Sequence, residues 1–169
     1  VIVVSITLYS YRTTLGKQSN GNNQADIVVE LTKDIKIKEE MPAIDGSESV
    51  SIKVATFARK NDGTFNIKVT GLDSKTNYVN KDVNIRTLQD NAFVTIELDK
   101  IIDANKDKSI SIELSSECNK GEGIGIYYSA NKIVENASLS INEYEQIGDL
   151  SVKLLTESDE LNLFYRIAI

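Results

Sequence analysis

The chain has 169 residues, of which 41% are hydrophobic and 26% charged, a composition typical of one folded domain with a continuous core. Its 25 acidic residues outnumber its 19 basic residues, which gives a formal charge of -6, and the basic residues are scattered along the sequence. Nucleic acid is therefore not a predicted partner, because phosphates favour clustered Lys and Arg.

Residues 1–15 begin with VIVVSITLYSY, an apolar run that is shorter than the span of a bilayer. We predict either the end of a transmembrane helix or a first β-strand, because Val, Ile, Thr and Tyr also favour strands. Residues 16–26 are rich in Gly, Asn and Ser and are predicted as a polar linker. Residues 157–169 are predicted as a final strand or as the start of a juxtamembrane segment.

Residues 27–156 show the two-residue alternation of β-strands, for example at Val50, Ile52 and Val54. Clusters of Gly, Asn, Asp and Ser separate the alternating runs at intervals typical of an antiparallel sandwich. The sequence therefore predicts an all-β fold with two antiparallel sheets, jelly-roll-like. Beyond the strands around residues 35 and 52, further strands are predicted at 64–69, 82–86, 92–98, 109–114, 123–128, 137–141 and 150–155.

The stretch VATFARKNDGTFNIKV places Asn61, Asp62 and Gly63 between two alternating runs. These residue types tolerate positive φ, so we predict a tight β-hairpin with positive φ at Gly63. Turn chemistry does not account for Arg59, which is predicted either as a solvated cation at a sheet edge or as a ligand contact.

Histidine is absent and Cys118 is the single cysteine. The sequence thus excludes a serine triad of the usual kind, His-ligated zinc and catalysis by imidazole. One thiol cannot form an internal disulfide, and Cys118 has no histidine base, so we predict a packed thiol. We expect no cofactor and no metal.

The segment DANKDKS places Asp103, Asn105 and Asp107 at alternate positions, as at the start of a calcium loop. Lys108 occupies the position of the required glycine, and Leu114 stands where the loop needs Glu. A hairpin turn is therefore favoured over a calcium site.

Acidic pairs such as Glu39 and Glu40, or the group Glu157, Asp159 and Glu160, would have to supply the acid and nucleophile of a glycosidase. Both groups lie in charged segments that resemble turns, with nothing to separate their pKa values. The sequence therefore disfavours a hydrolase, and we predict a protein that is not an enzyme.

Five segments carry a resemblance to a known family: SIKVATFARKNDGTFNIKV, NIRTLQDNAFVTIEL, IIDANKDKSISIELSS, GIGIYYSANK and GDLSVKLL. Over residues 27 to 155 the chain resembles a β-sandwich extracytoplasmic domain of bacterial polytopic membrane proteins that synthesise surface glycans. The family often carries Trp where this chain has Tyr127. The matching positions are Arg59, Asn61, Gly63, Asp90, Asn91, Asp103, Lys108, Leu114, Ser115, Ser116, Tyr127, Ser129, Gly148, Asp149 and Leu150.

The resemblance implies a galactose-binding or jelly-roll-like fold held outside the membrane, without catalysis. Such sheets bind sugars on an aromatic surface, with a few polar groups for the hydroxyls. Since neighbours on a strand face opposite ways, only one of Tyr127 and Tyr128 is expected to point outward. The candidate ligand contacts are Arg59, Asn61, Tyr78, Glu113, Tyr127, Tyr128 and Asn131.

Three hypotheses follow. The first is an extracytoplasmic, membrane-anchored accessory module that recognises a glycan for a glycosyltransferase or polysaccharide-synthesis protein. Its expected ligand is a neutral or amino-sugar saccharide, because a net charge of -6 does not attract acidic polymers. The second is a structural module without a sugar site, packed on its own transmembrane domain or on a membrane partner. The third, disfavoured, is a small glycoside hydrolase.

Overall fold

The computed structural model describes residues 17–157, and these form two antiparallel β-sheets with one short 3₁₀ helix, Ile85–Thr87. The predicted all-β sandwich is thus confirmed. The strands are β1 Lys17–Gly21, β2 Ile27–Glu30, β3 Ile37–Pro42, β4 Ser47–Ala55, β5 Thr64–Gly71, β6 Asn77–Asn84, β7 Ala92–Glu97, β8 Ser109–Ser116, β9 Gly125–Tyr128, β10 Ser138–Ile141, β11 Tyr144–Gln146 and β12 Val152–Glu157.

The first sheet has the strand order β1-β12-β4-β9-β2, and β7 pairs with the other edge of β4. The second sheet has the order β11-β10-β3-β8-β5-β6. From β3 onward the chain passes back and forth between the sheets, and only β5–β6 and β10–β11 are hairpins within one sheet. This repeated crossing is the arrangement expected of a jelly roll.

The core lies between the two sheets because each strand turns alternate side chains inward. On β4, Val50, Ile52 and Val54 are buried in a cluster that also contains Ile67 and Ile112 of the second sheet. The intervening residues of β4 therefore face outward. This alternation sets which side chains are available on the outer surface of the first sheet.

The hairpin predicted at residues 61–63 is wrong. The run before it, β4, belongs to the first sheet, whereas β5 after it belongs to the second, so residues 56–63 cross between the sheets. Phe57 and Ala58, with φ of 58° and 54°, make the reversal. Gly63 has the predicted positive φ, 114°, but it serves the crossing and not a hairpin.

The turn at residues 103–107 is likewise a crossing, because β7 lies in the first sheet and β8 in the second. The predicted hairpin is wrong here too. Asp107 is fully buried and binds the β5–β6 turn, while Asp103 accepts a bond from the backbone N–H of Lys106.

Part of the predicted linker is a strand. Lys17–Gly21 pairs with β12, since hydrogen bonding along a sheet edge satisfies polar residues as well as apolar ones. The predicted anchor or first strand at residues 1–15, and all of the predicted C-terminal segment except Glu157, lie outside the described residues. Within 17–157 no helix is long and apolar enough to cross a membrane.

Two further strands differ from prediction. The strand expected at 82–86 is Asn77–Asn84, and β11, Tyr144–Gln146, was not predicted.

Cys118 is buried, with its Sγ 3.7 Å from the carbonyl oxygen of Asp62 and close to Gly63. It occupies the packed environment that the sequence predicts.

Candidate functional site

The outward surface of the first sheet carries three aromatic rings, each with a basic side chain beside it. We call this surface the aromatic face. Cross-strand register aligns Phe93 with Lys53 and Tyr127 with Val28. The aromatic face comprises Val28, Lys53, Phe57, Phe93, Tyr127 and Lys153.

Tyr127 is the outward residue of the predicted tyrosine pair. Its ring centroid lies 5.3 Å from the Nζ of Lys53, whereas the ring of Tyr128 packs against the core. Tyr127 is half-buried. The predicted division of the two tyrosines is observed, and Tyr128 is thereby removed from the set of ligand contacts.

A turn at Asp90 and Asn91 fixes the position of two of the rings. The hydroxyl of Tyr127 donates to the side-chain oxygen of Asn91, which has φ of 55°. Asp90 accepts from the backbone N–H groups of Thr56 and Phe57, at 2.5 and 3.1 Å. The N–H of Thr56 is the main cause of the lowered pKa of Asp90. This turn therefore ties Tyr127 and Phe57 to one support.

Arg59 is not a free cation at a sheet edge, because its guanidinium is paired within the chain. Its guanidinium donates to the carboxylate of Glu30 and, at 2.8 Å, to the carbonyl oxygen of Gly123. Its Nε donates to the side chain of Asn61 at 2.9 Å, and the guanidinium lies 4.7 Å from the ring centroid of Phe57. Arg59 thus connects residues 56–63 to β2, and its guanidinium packs against the ring of Phe57.

Phe93 lies at the opposite end of the aromatic face. The Nζ of Lys153 is 4.2 Å from the Phe93 ring centroid, within the range of cation–π attraction. In the cross-strand pair next to that of Lys53 and Phe93 on the same side of the sheet, the hydroxyls of Ser51 and Thr95 lie 3.0 Å apart. The surface therefore combines ring faces, hydroxyls and ammonium groups without a deep hollow.

A cleft of about 370 Å³ borders this end of the aromatic face. Phe93 and Thr95 of β7 form part of its wall, and Leu88 and Gln89 face them from the segment after the 3₁₀ helix. Because β7 is an edge strand, the cleft is open beside the sheet. It extends the accessible surface around Phe93.

The remaining predicted contacts do not join the aromatic face. Asn61 is buried and donates to the carbonyl of Thr56, and Tyr78 is buried with its hydroxyl donating to Asp107 at 2.8 Å. Glu113 lies on β8 of the second sheet, and Asn131 is exposed in the loop after β9. Of the seven predicted residues, only Tyr127 contributes an accessible group there.

Glu39 departs from the prediction that its surroundings are charged and turn-like. It lies in the middle of β3, fully buried between Ile37 and Met41, and burial raises its pKa to about 8. Its Oε2 accepts from the N–H of Leu150, and the nearby charge of Asp149 raises the pKa further. Glu40, in contrast, pairs with Lys38 at 2.6 Å on the surface.

Asp149 is also fully buried, and its Oδ2 accepts from the N–H groups of Ile133 and Val134. Its Oδ1 and the Oε1 of Glu39 have no hydrogen-bond partner in the described chain. Within residues 17–157 no group of three or more His, Cys, Asp or Glu side chains is placed to hold a metal ion.

Sequence reasoning missed Lys53, Phe57, Phe93 and Lys153. A signal existed for two of them, because the inward positions Val50, Ile52 and Val54 put Lys53 on the outer side, and Val94 and Ile96 do the same for Phe93. That these two side chains are neighbours depends on the pairing of β4 with β7, which periodicity does not specify.

No protein-family model and no curated protein sequence matches this chain. The resemblance to glycan-synthesis proteins therefore stays a prediction.

Proposed function

We propose that this chain is a non-catalytic recognition module that binds a saccharide on the aromatic face. The observation that carries the proposal is the outward Tyr127, held at its hydroxyl by Asn91, in one surface with Phe93 and Phe57. Ring faces fit the apolar side of a pyranose, and fixed ring positions lower the entropy cost of binding.

The polar groups between the rings suit a hydroxylated ligand. Thr95 offers an exposed hydroxyl that is bonded to the buried hydroxyl of Ser51. Lys53 and Lys153 offer N–H donors nearby. The face is a sheet surface and not an enclosed pocket, so binding should be weak, with a dissociation constant on the order of 0.1 to 1 mM.

The proposal extends to a cellular role. We infer an extracytoplasmic accessory module of a membrane-bound glycosyltransferase or polysaccharide-synthesis protein, in which the chain is a segment of a longer, membrane-anchored protein. The support is the resemblance of residues 27 to 155 described above, together with the sandwich fold.

The placement of the acidic side chains favours a non-catalytic role. Glu39, the carboxyl group with the raised pKa, is fully buried on β3 and cannot touch a saccharide at the surface. The exposed Glu40 is neutralised by Lys38. A glycosidase needs two accessible carboxyl groups across one cleft.

A second candidate function is a structural module that contacts a membrane partner through the β10–β11 hairpin. The observation in its favour is the exposure of Tyr144 and Ile147, at 77% and 81%. Such large exposed apolar side chains commonly mark protein contacts. On this hypothesis Ile147→Asp would weaken partner binding, and Tyr127→Ala would not.

Titration of the ¹⁵N-labelled 169-residue chain with β-1,4-linked tetrasaccharides, followed by amide shifts, tests the proposal. We expect shifts around Tyr127, Lys53 and Phe93 at millimolar sugar. Tyr127→Ala should weaken binding about tenfold or more, since stacking is lost. The matched control Tyr144→Ala removes an exposed tyrosine from the other sheet and should leave binding unchanged.

Two results would contradict the proposal. One is the absence of shifts on the aromatic face for every neutral and acidic tetrasaccharide tested at millimolar concentration. The other is an equal loss of binding in Tyr127→Ala and Tyr144→Ala. Tyr127→Phe separates stacking from the hydroxyl bond to Asn91, and it should keep most of the affinity.

A further inference from the structure

The charge of the aromatic face differs in sign from that of the whole chain. Lys53 and Lys153 make no ion pair with a carboxylate anywhere in the part of the chain that the structure describes. Arg59 and Glu30 neutralise each other beside Phe57. The net charge of -6 thus conceals a locally basic surface.

Both ammonium groups lie over the two rings on which a sugar would stack. Lys53 lies 5.3 Å from the ring centroid of Tyr127, and Lys153 lies 4.2 Å from that of Phe93. A saccharide that stacks on these rings must displace the ammonium groups and break the cation–π contacts. A neutral sugar gives the displaced cations nothing in return, whereas an anionic sugar offers each of them an ion pair.

We propose that the ligand of the aromatic face is an acidic saccharide, a chain of uronic acid sugars. Its sugar rings stack on Tyr127 and Phe93, and its carboxylates pair with Lys53 and Lys153. This inference rests on the proposed function and replaces the expectation of a neutral or amino-sugar ligand drawn from net charge. Among the acidic groups on or beside this sheet, Glu30 is paired with Arg59, and Glu97 lies at the far end of β7. Asp90 already accepts from the N–H groups of Thr56 and Phe57, and its one negative charge is fewer than the two positive charges of the lysines.

The test uses two tetrasaccharides that differ only at C6, β-1,4-tetraglucuronate and cellotetraose, each titrated into the labelled 169-residue chain. Exposed ion pairs predict an affinity about three- to tenfold higher for the tetraglucuronate. The preference should disappear between about 0.15 M and about 1 M NaCl, where the screening length falls from about 8 Å to about 3 Å. Binding of cellotetraose should not change with salt.

A double variant, Lys53→Gln with Lys153→Gln, should bind both tetrasaccharides equally. Its matched control, Lys68→Gln with Lys81→Gln, changes the net charge by the same amount on the second sheet and should keep the preference. Equal affinity of the wild-type chain for the two sugars would overturn this inference while leaving the proposed function intact. Binding of neither sugar would remove both.

Discussion

Asp107 and Glu39 are both fully buried carboxyl groups, yet their pKa values move in opposite directions. Burial alone would raise the pKa of Asp107, but donors from Ser74, Tyr78 and Asp73 outweigh it and hold the pKa below its usual range. Glu39 has a single donor, the N–H of Leu150, and its pKa rises to about 8.

The difference teaches that the number of donors acts together with the depth of burial, which is greater for Glu39, in deciding whether a carboxyl group without exposed surface carries charge. Asp107 is a charged group that accepts four hydrogen bonds, three from Asp73 and Ser74 of the β5–β6 turn and one from Tyr78 of β6. Glu39 and Asp149 each have one buried oxygen without a hydrogen-bond partner in the described chain, and the charge of Asp149 is near enough to raise the pKa of Glu39. One proton on Glu39 relieves the repulsion between these two carboxyl groups.

The largest expected effect is that of Asp107→Ala. The substitution leaves the donors of Asp73, Ser74 and Tyr78 without their acceptor, so the free energy of unfolding should fall by about 3 kcal/mol or more. Urea unfolding followed by circular dichroism measures it. Tyr78→Phe, which removes one of the donors, should cost about 1 kcal/mol. Equal losses in the two variants would show that the network is not centred on Asp107.

The second prediction concerns the pH dependence of the wild-type chain. The pKa of Glu39 is raised from 4.5 to about 8, so between these values folding takes up a proton. The contribution of Glu39 is complete below pH 4.5 and is lost as the pH rises towards 8, at up to about 1.4 kcal/mol per pH unit. The contribution of Asp107 to stability depends on pH in the opposite direction, because it is lost as the pH falls through the lowered pKa of that group. Urea midpoints between pH 5 and 8 that do not decrease would refute the assignment to Glu39.

The third prediction concerns a variant in which residue 39 cannot ionise. Glu39→Gln keeps an acceptor for the N–H of Leu150 and carries no negative charge to repel Asp149 at any pH. At pH 8 the variant should be about 1 to 3 kcal/mol more stable than the wild type, and its slope with pH should be flatter. Glu40→Gln, a neighbouring change on the surface, should alter stability by about 0.5 kcal/mol or less. A destabilised Glu39→Gln would mean that the carboxyl group is charged in the folded chain.

The sequence predicts the strands well and their partners poorly. Alternation at Val50, Ile52 and Val54 located β4, but the turn residues Asn61 and Gly63 were assigned to a hairpin because turn chemistry is local. Whether the chain after a turn returns to the same sheet depends on contacts between distant residues, as in the pairing of β5 with β8.

The candidate site was predictable only in part. Strand geometry alone requires one of Tyr127 and Tyr128 to face outward, and the fold selects Tyr127. The burial of Glu39 had a signal, since Ile37 and Met41 flank it at the inward positions of β3. Nothing local marks Asp149 as its neighbour, because the two are brought together by packing of segments 110 residues apart in the chain.

The buried acids also adjoin the proposed binding surface. The segment that contains Asp149 and Leu150 continues to Ser151, whose N–H donates to the carbonyl of Tyr127 and whose carbonyl accepts from the N–H of Lys53, both at 2.9 Å. Glu39 is thus connected, through Leu150 and Ser151, to the backbone that holds two residues of the aromatic face. The carboxylate of Asp107 has no such contact, since its partners are Asp73 and Ser74 of the β5–β6 turn and Tyr78 of β6, in the second sheet.

The smallest expected effect is that of an exposed charge, Lys132, on the pKa of Glu39. Lys132 lies near enough to lower the pKa of Glu39, although its Nζ donates to the carbonyl oxygen of Ala137 and its side chain is exposed. In Lys132→Met the midpoint of Glu39 should rise, but only by a few tenths of a pH unit, because solvent screens an exposed cation. The ¹³C shift of the Glu39 carboxyl carbon across pH 6 to 9 measures it, with Lys100→Met as the control. A midpoint that does not rise in Lys132→Met, or that rises equally in Lys100→Met, would place Lys132 outside the field that Glu39 experiences.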